Sequence, residues 1–371
     1  MSMATPATHL DEGGRLYRDL RQQVREAGLF APDPVYYVWR TILGIGLIAV
    51  VALILALTAP GWWQVALALP LTLGSVQFAF LGHDGGHREI FRSPRANDRF
   101  VLLTSSLFLG FSLSWWQDQH NRHHGQTNHE VLDPNANISM MAFSEAQRAE
   151  RHGVGGLLVR YQAWVFLPLN TLSALYKQVE SVRFLMARRV RYPTVEPFLA
   201  TLHFAAYGIM LFAIADPVIG AVLLAAHYGI FGLYLGALIA PNHKGMPTFR
   251  DALPTSYIAR QVMSSRTVPG GRLVNFLYGG LNYQIEHHLL PTMPGSRLPA
   301  ARPIVRAFCV EHDLPYEEAG VVEAYREVVR ALHRFSRPSD ASTGLAAGSA
   351  IPAVLTVPQG SVEDSRAGRD F

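Results

Sequence analysis

Hydrophobic and polar positions fall into blocks along this chain. An apolar run at about 37–57 stops at Pro60 and Gly61, and a second occupies about 62–82. A mixed middle segment follows. A third run at about 198–215 ends at Asp216 and Pro217, and a fourth at about 218–240 ends at Pro241. Each approaches the roughly 20 residues a helix needs to cross a hydrocarbon core. The pattern therefore predicts four transmembrane helices. The turns at 59–61 and 216–217 are so short that the helices pair as two hairpins. Weaker apolar stretches at 100–116 and 157–175 are interrupted by polar or small residues, and read as interfacial or buried helices. Residues 1–36 form a polar, cytosolic N-terminal segment without a signal-peptide core. The membrane domain spans 37–335. From 336 to 371 the chain turns to Ser, Ala, Gly and Pro, a composition expected to be disordered.

Charge then sets orientation. Only 16% of residues are charged, against about 25% in soluble domains. Both hairpin turns lack Lys and Arg, which concentrate in the N-terminal, middle and C-terminal segments. Both termini and the middle segment are therefore expected on the cytoplasmic side. The formal net charge is +4, spread between apolar runs without a basic block. Loops facing an anionic leaflet account for it, and nucleic acid is not an expected partner. The single cysteine, Cys309, excludes an internal disulfide, a CxxC zinc ribbon and a cysteine-ligated iron–sulfur cluster within one chain.

Where the 15 histidines fall changes the picture most. HDGGH at 83–87 follows the second apolar run. HNRHH at 120–124 follows the stretch ending at Trp116, and QIEHH occupies 284–288. His83 and His87 are four apart, as are His120 and His124. His123 lies three after His120, and Gln284, His287 and His288 repeat the i, i+3, i+4 spacing. On a helix such positions share a face, so each box aims its nitrogens at one place. His243 stands just past the fourth run. Eight imidazoles at one depth exceed the three or four ligands of one zinc ion and suit two metals. Imidazole accepts iron, copper, nickel or zinc, so the pattern alone does not choose. Asp84, Asp118, Asp133 and Glu286 are candidates to orient the imidazoles. His203 and His227, alone in apolar runs, read as packed residues, and His129 and His152 as solvated loop residues.

The three boxes, in this order and with an apolar hairpin between the second and third, resemble the membrane fatty acid desaturase family over about 38–312. That resemblance implies an all-α integral membrane fold of four transmembrane helices beneath a cytosolic helical cap holding a di-iron site. It implies two iron ions, cycling between Fe2+ and Fe3+, with dioxygen as co-substrate. Carried over by position, the metal ligands are His83, His87, His120, His123, His124, His287 and His288, with His243 as an additional one. Some members place an Asn one helical turn before that last histidine. Ile239 stands there in this chain, and Asn242 is the alternative. Gln284 replaces the first histidine of the third box, as in front-end desaturases and some bacterial acyl desaturases. The segments around 241–247 and 287–291 look most like actinobacterial acyl-CoA desaturases.

The expected activity is dioxygen-dependent introduction of a cis double bond into a fatty acyl chain, carried as acyl-CoA or membrane lipid. The haem motif HPGG of fused cytochrome b5 domains does not occur in the sequence, where VPGG at 268–271 lacks the histidine. The expected electron donor is a separate ferredoxin, cytochrome or flavoprotein reductase. Trp115, Trp116 and Phe111 are candidates to line an acyl tunnel. A lipid or carotenoid hydroxylase or ketolase on the same scaffold is the nearest rival. A metal transporter fits less well, because transport sites lie at the bilayer midplane and these boxes lie at the ends of the apolar runs.

Overall fold

The computed structural model describes residues 6–337 except 188, 211–215 and 251–255. The tail expected to be disordered lies almost wholly outside the described residues, as does the end of the third predicted span. The described residues are mostly helical and contain no β-strand.

After α1 (Pro6–Glu26), the Asp33 carboxylate accepts from Tyr36 N and Pro34 fits the first turn, starting α2 (Pro34–Leu57). A 3-10 turn at Trp62–Leu67 leads into α3 (Ala68–Gly86). α2 and α3 pack along one another. A Cβ added to Gly74 would lie 3.2 Å from the Gly44 carbonyl, so small residues permit the close approach. Outward on α2, Val35, Val38, Ile42, Leu53 and Leu57 are each more than half exposed. An apolar face of that length without protein partners matches a lipid contact. Inward, Arg40 is buried. Its guanidinium donates to Gln77 Oε1 at 2.8 Å and the Phe276 carbonyl at 3.1 Å, and lies over the Tyr36 and Phe80 rings. A charge buried in an apolar span is stable only when paired in this way.

The middle segment is built of short pieces. α4 (Pro94–Val101) runs into a π-helical turn at Leu102–Leu107. The chain then breaks at Gly110, whose φ of 69° suits glycine, before α5 (Leu113–Gly125). α6 (Glu145–Glu150), α7 (Gly153–Arg160), α8 (Gln162–Asn170) and α9 (Ser173–Met186) follow. None is long enough to span a bilayer, in line with the reading of 100–116 and 157–175 as non-spanning. α8, α9 and the turn between them expose Trp164, Leu172, Leu175 and Tyr176, an apolar face suited to the membrane interface.

α10 (Val195–Gly208) covers the start of the third predicted span. α11 (Pro217–His243) starts where the Asp216 carboxylate accepts from Val218 N and Ile219 N, and packs against α3, α8 and α9. Among the described residues three helical segments are long and apolar enough to cross a membrane: Pro34–Leu57, Trp62–Gly86 and Pro217–His243. His203 and His227 pack inside as expected. His203 Nδ1 donates to the Leu107 carbonyl at 3.0 Å, and His227 Nδ1 meets Thr72 Oγ1 at 3.0 Å.

The C-terminal region forms a cap from α12 (Tyr257–Met263), α13 (Arg272–Tyr278), α14 (Gln284–Leu289), α15 (Leu298–Glu311) and α16 (Val321–Arg334). Leu20 and Val24 of α1 join Ile258, Val262, Ile285 and Leu289 in one apolar cluster. The N-terminal segment is thus part of the cap, and helps to seat α14, which carries the third histidine box.

Candidate metal centre

Four helices bring the boxes together. His83 sits in the last turn of α3 and His87 caps it. α5 carries His120, His123 and His124, α11 ends at His243, and α14 carries His287 and His288. α5 is fixed from both sides. Ser112 caps it by accepting from Trp115 N, Ser181 Oγ accepts from Ser112 N, and buried Glu196 on α10 accepts from Ser112 and Ser114 hydroxyls. Nothing in the spacing of the boxes pointed to Glu196.

The imidazoles separate into two sets. Ring nitrogens of His83, His87, His120 and His287 lie within 4.8 Å of one another, as do those of His123, His243 and His288. His124 joins the first set, its Nε2 at 3.1 Å from His120 Nε2 and 3.2 Å from His287 Nε2. His87 Nε2 and His120 Nε2 are 2.7 Å apart. Nitrogens converging at such separations match ligands around a shared cation, whose bonds to nitrogen are about 2.1 Å.

The second set shows its tautomers. His123 Nδ1 donates to the Asp133 carboxylate at 3.0 Å. His243 Nδ1 donates to the Ser264 carbonyl at 3.0 Å, and His288 Nδ1 to Gln261 Oε1 at 2.8 Å. With Nδ1 protonated and tied outward, each neutral ring turns its Nε2 lone pair inward. Buried His288 Nε2 has no partner in the protein. An orphaned acceptor facing two other lone pairs costs free energy unless something electron-poor lies among them, so these residues fit a metal ion.

Of the four candidate orienting acids, two take that position. Asp84 Oδ1 accepts from His83 Nδ1 at 3.0 Å, and Asp133 holds His123. The other two do not touch an imidazole. Asp118 faces solvent and pairs with Arg122 at 3.0 Å, one helical turn away. Glu286 points away from the boxes, accepting from Thr267 at 2.7 Å and Tyr316 at 2.5 Å, and so anchors α14 to the cap. Burial raises its carboxyl above the usual range, although those two hydroxyls oppose the shift. Gln261 and the Ser264 carbonyl do the orienting work instead; they belong to α12 and its end, a segment without a recognisable motif. His129 is a correction: it is buried, its Nδ1 accepting from Val131 N and Leu132 N, whereas His152 is exposed as expected.

Trp116 closes one side, stacked on His120 at 4.4 Å between centroids and edge-on to His83 and His87. Trp115 and Phe111 stack beneath it in the apolar core. A Cβ added to Gly86 would fall 2.1 Å from the Trp116 ring. Gly86→Ala therefore displaces an indole clamped against three imidazoles. Overpacking of this kind costs about 1–3 kcal/mol, and the variant is expected to melt earlier in detergent and bind metal more weakly than the parent.

Burial, reinforced by neighbouring imidazoles, lowers the pKa values of His87, His120, His124, His287 and His288 well below 6.5. At neutral pH these rings are uncharged and able to bind a metal. The unfolded chain takes up protons below about 6.5 while the folded one does not. Stability of the metal-free protein is thus fully present above that pH and declines as pH falls. Thermal melts of chelator-treated protein from pH 8 to pH 5 are expected to fall steadily below 6.5, and a flat profile would contradict the buried, neutral cluster.

The model of the family described as fatty acid desaturase matches residues 60–320. The chain is 26% identical to the Delta(8)-fatty-acid desaturase of Euglena gracilis over 351 residues, covering 90% of this chain and 82% of that protein. It is 27% identical to the Delta(6)-fatty-acid desaturase fat-3 of Caenorhabditis elegans over 317 residues, 81% of this chain and 70% of that one. It is 28% identical to the Delta(5) fatty acid desaturase fat-4 of the same organism over 314 residues, with 81% and 69% covered.

Proposed function

Because the chain belongs to the fatty acid desaturase family, we propose that it is an oxidoreductase that introduces a cis double bond into a fatty acyl chain. The observation that carries this reading is the pair of converging imidazole sets, mostly buried, with His83, His87 and His243 at the ends of long apolar helices. Two irons held there would supply oxidation by dioxygen: two hydrogens leave neighbouring methylenes, an external donor gives two electrons, two protons come from solvent, and dioxygen ends as two waters.

The remaining work belongs to the chain itself. His83, His87, His120, His124 and His287 would hold one iron, and His123, His243 and His288 the other. Asp84, Asp133, Gln261 and the Ser264 carbonyl keep the Nδ1 protons of His83, His123, His288 and His243 turned outward. Trp116 shields the rings of the first set from water. The apolar cluster around Phe111 and Trp115 lies beside that set, and offers an acyl chain a dry path toward it. We take the full membrane domain to have four spans in two hairpins, with α10 in the third. The histidine boxes, the cap and both termini would face the cytoplasm of a bacterial cell. The donor would be a separate ferredoxin, cytochrome or flavoprotein reductase.

The test is gas chromatography–mass spectrometry of lipids from cells expressing the chain with a compatible reductase, beside His123→Ala and His287→Ala controls. A new unsaturated acyl species, absent from both controls, supports the proposal and locates the bond. Hydroxylated or oxo products would transfer the assignment to a hydroxylase or ketolase. A purified protein without iron would sink the di-iron reading.

A further inference from the structure

Gln284 stands where the third box has its first ligand position, yet its amide is turned the wrong way to bind a metal. Asn242 decides this. Its Nδ2 donates to the Leu281 carbonyl at 2.9 Å and to Gln284 Oε1 at 3.0 Å. A carbonyl only accepts, so the Asn242 amide cannot be reversed without setting Oδ1 against Leu281 O. With Gln284 Oε1 occupied by Asn242, its Nε2 faces the second histidine set, 3.0 Å from His243 Nε2. That contact has one consistent polarity. His243 Nδ1 donates to the Ser264 carbonyl, so Nε2 is a lone pair and Gln284 Nε2 donates to it. Reversing Gln284 would put an oxygen against a lone pair on one side and two donors against each other on the other. Both amides are buried, so water does not relieve either conflict.

We infer that Gln284 is a hydrogen-bond donor to the His123–His243–His288 pocket and not a metal ligand, held in that role by Asn242. The inference rests on the proposed di-iron function and refines it. When a metal ion takes the His243 lone pair, the Gln284 N–H groups need a new acceptor in the same space. The chemistry that suits them is a small anion or oxygen acceptor completing the three-histidine set, such as water, hydroxide or azide. A donor at that place stabilises added negative charge there, which an imidazole ligand in the same position would not do. Gln284 is in this sense a positioning residue for the small ligand, and Asn242 positions Gln284.

Azide is the probe. The purified, iron-loaded protein is titrated with sodium azide, following the azide-to-iron charge-transfer absorption, with iron per chain measured on the same samples. Gln284→Leu is expected to keep the parent's iron content and weaken azide binding about tenfold or more, the effect of one hydrogen bond to a charged acceptor. Asn242→Asp nearly preserves the shape of the side chain but removes the amide donor that fixes Gln284, and is expected to weaken azide in the same direction with iron retained. It also serves if Gln284→Leu fails to fold. Loss of one iron from Gln284→Leu would make Gln284 a ligand and overturn the inference. Unchanged azide affinity with iron retained in either variant would overturn it as well. A parent protein that binds no iron would overturn both the inference and the di-iron reading, and is distinguished from the other outcomes by the parent's own iron count.

Discussion

Replacing His288 by Ala is expected to lower iron from two to one per chain and to bring unsaturated product below detection. His288 is buried, its Nδ1 fixed on Gln261 and its Nε2 left without a protein partner. Among the described residues it shares its set with two other imidazoles, His123 and His243. Two remaining nitrogens are fewer than the three or four that hold such ions in protein sites. The first set keeps His83, His87, His120, His124 and His287, so its iron should stay. The variant also leaves a cavity beside His124, whose ring stacks on His288 at 4.2 Å between centroids. Large-to-small changes at such sites cost about 2–5 kcal/mol, so iron should be counted on protein shown to be folded by its melting profile. Loss of both irons from folded protein would mean that the two sets bind as a single unit. Retention of both would remove His288 from the ligands.

Asp133→Asn is expected to weaken iron binding at the second set about 10–100-fold, the usual effect of losing the group that orients a ligand. The carboxylate is fully buried. It takes His123 Nδ1 on both oxygens at 3.0 Å, Asn128 N at 2.9 Å and Asn135 N at 2.8 Å. An amide of the same shape has one accepting oxygen, so at least one of these donors meets an NH2 group. A buried unsatisfied donor costs about 1–3 kcal/mol. The same loop is pinned by Asn128, which adopts a φ of 56° and donates to the carbonyls of His243, Pro247 and Ser264. Damage at Asp133 therefore spreads to the end of α11 as well as to α5. Burial pushes the Asp133 carboxyl up, but His123 and the backbone amide outweigh it and hold the group below its usual 3.8. Its contribution to stability is present above that pH and is lost as pH falls through the depressed value. The gap between parent and variant melting temperatures should persist at neutral pH and narrow only in strong acid. A variant with parental iron affinity would show that His123 is oriented by other means.

Much of this protein was legible before folding was considered. Apolar run length against bilayer thickness marked four spans, three of which stand as long apolar helices among the described residues, and helical spacing within each box told which nitrogens share a face. These are local properties, set by residues within one or two turns of each other. Asp84, adjacent to His83, was legible for the same reason. Asp118 and Glu286 were misread by the same logic: closeness along the chain does not say which side of a helix faces the ligands, and a solvated Arg122 and a half-buried Tyr316 were the nearer partners.

By itself, then, the sequence determined the helical membrane architecture, the eight imidazoles and the class of chemistry they can host. Tertiary structure alone decided how those imidazoles divide into two sets, which Nδ1 protons are held outward, and by whom. Gln261, the Ser264 carbonyl and Glu196 act across 27, 21 and 84 residues of chain, and Asn242 turns Gln284 across 42. A hydrogen bond depends on distances of about 3 Å and on the direction of a lone pair. Neither is encoded in spacing along the chain; both exist only once α5, α11, α12 and α14 have packed together.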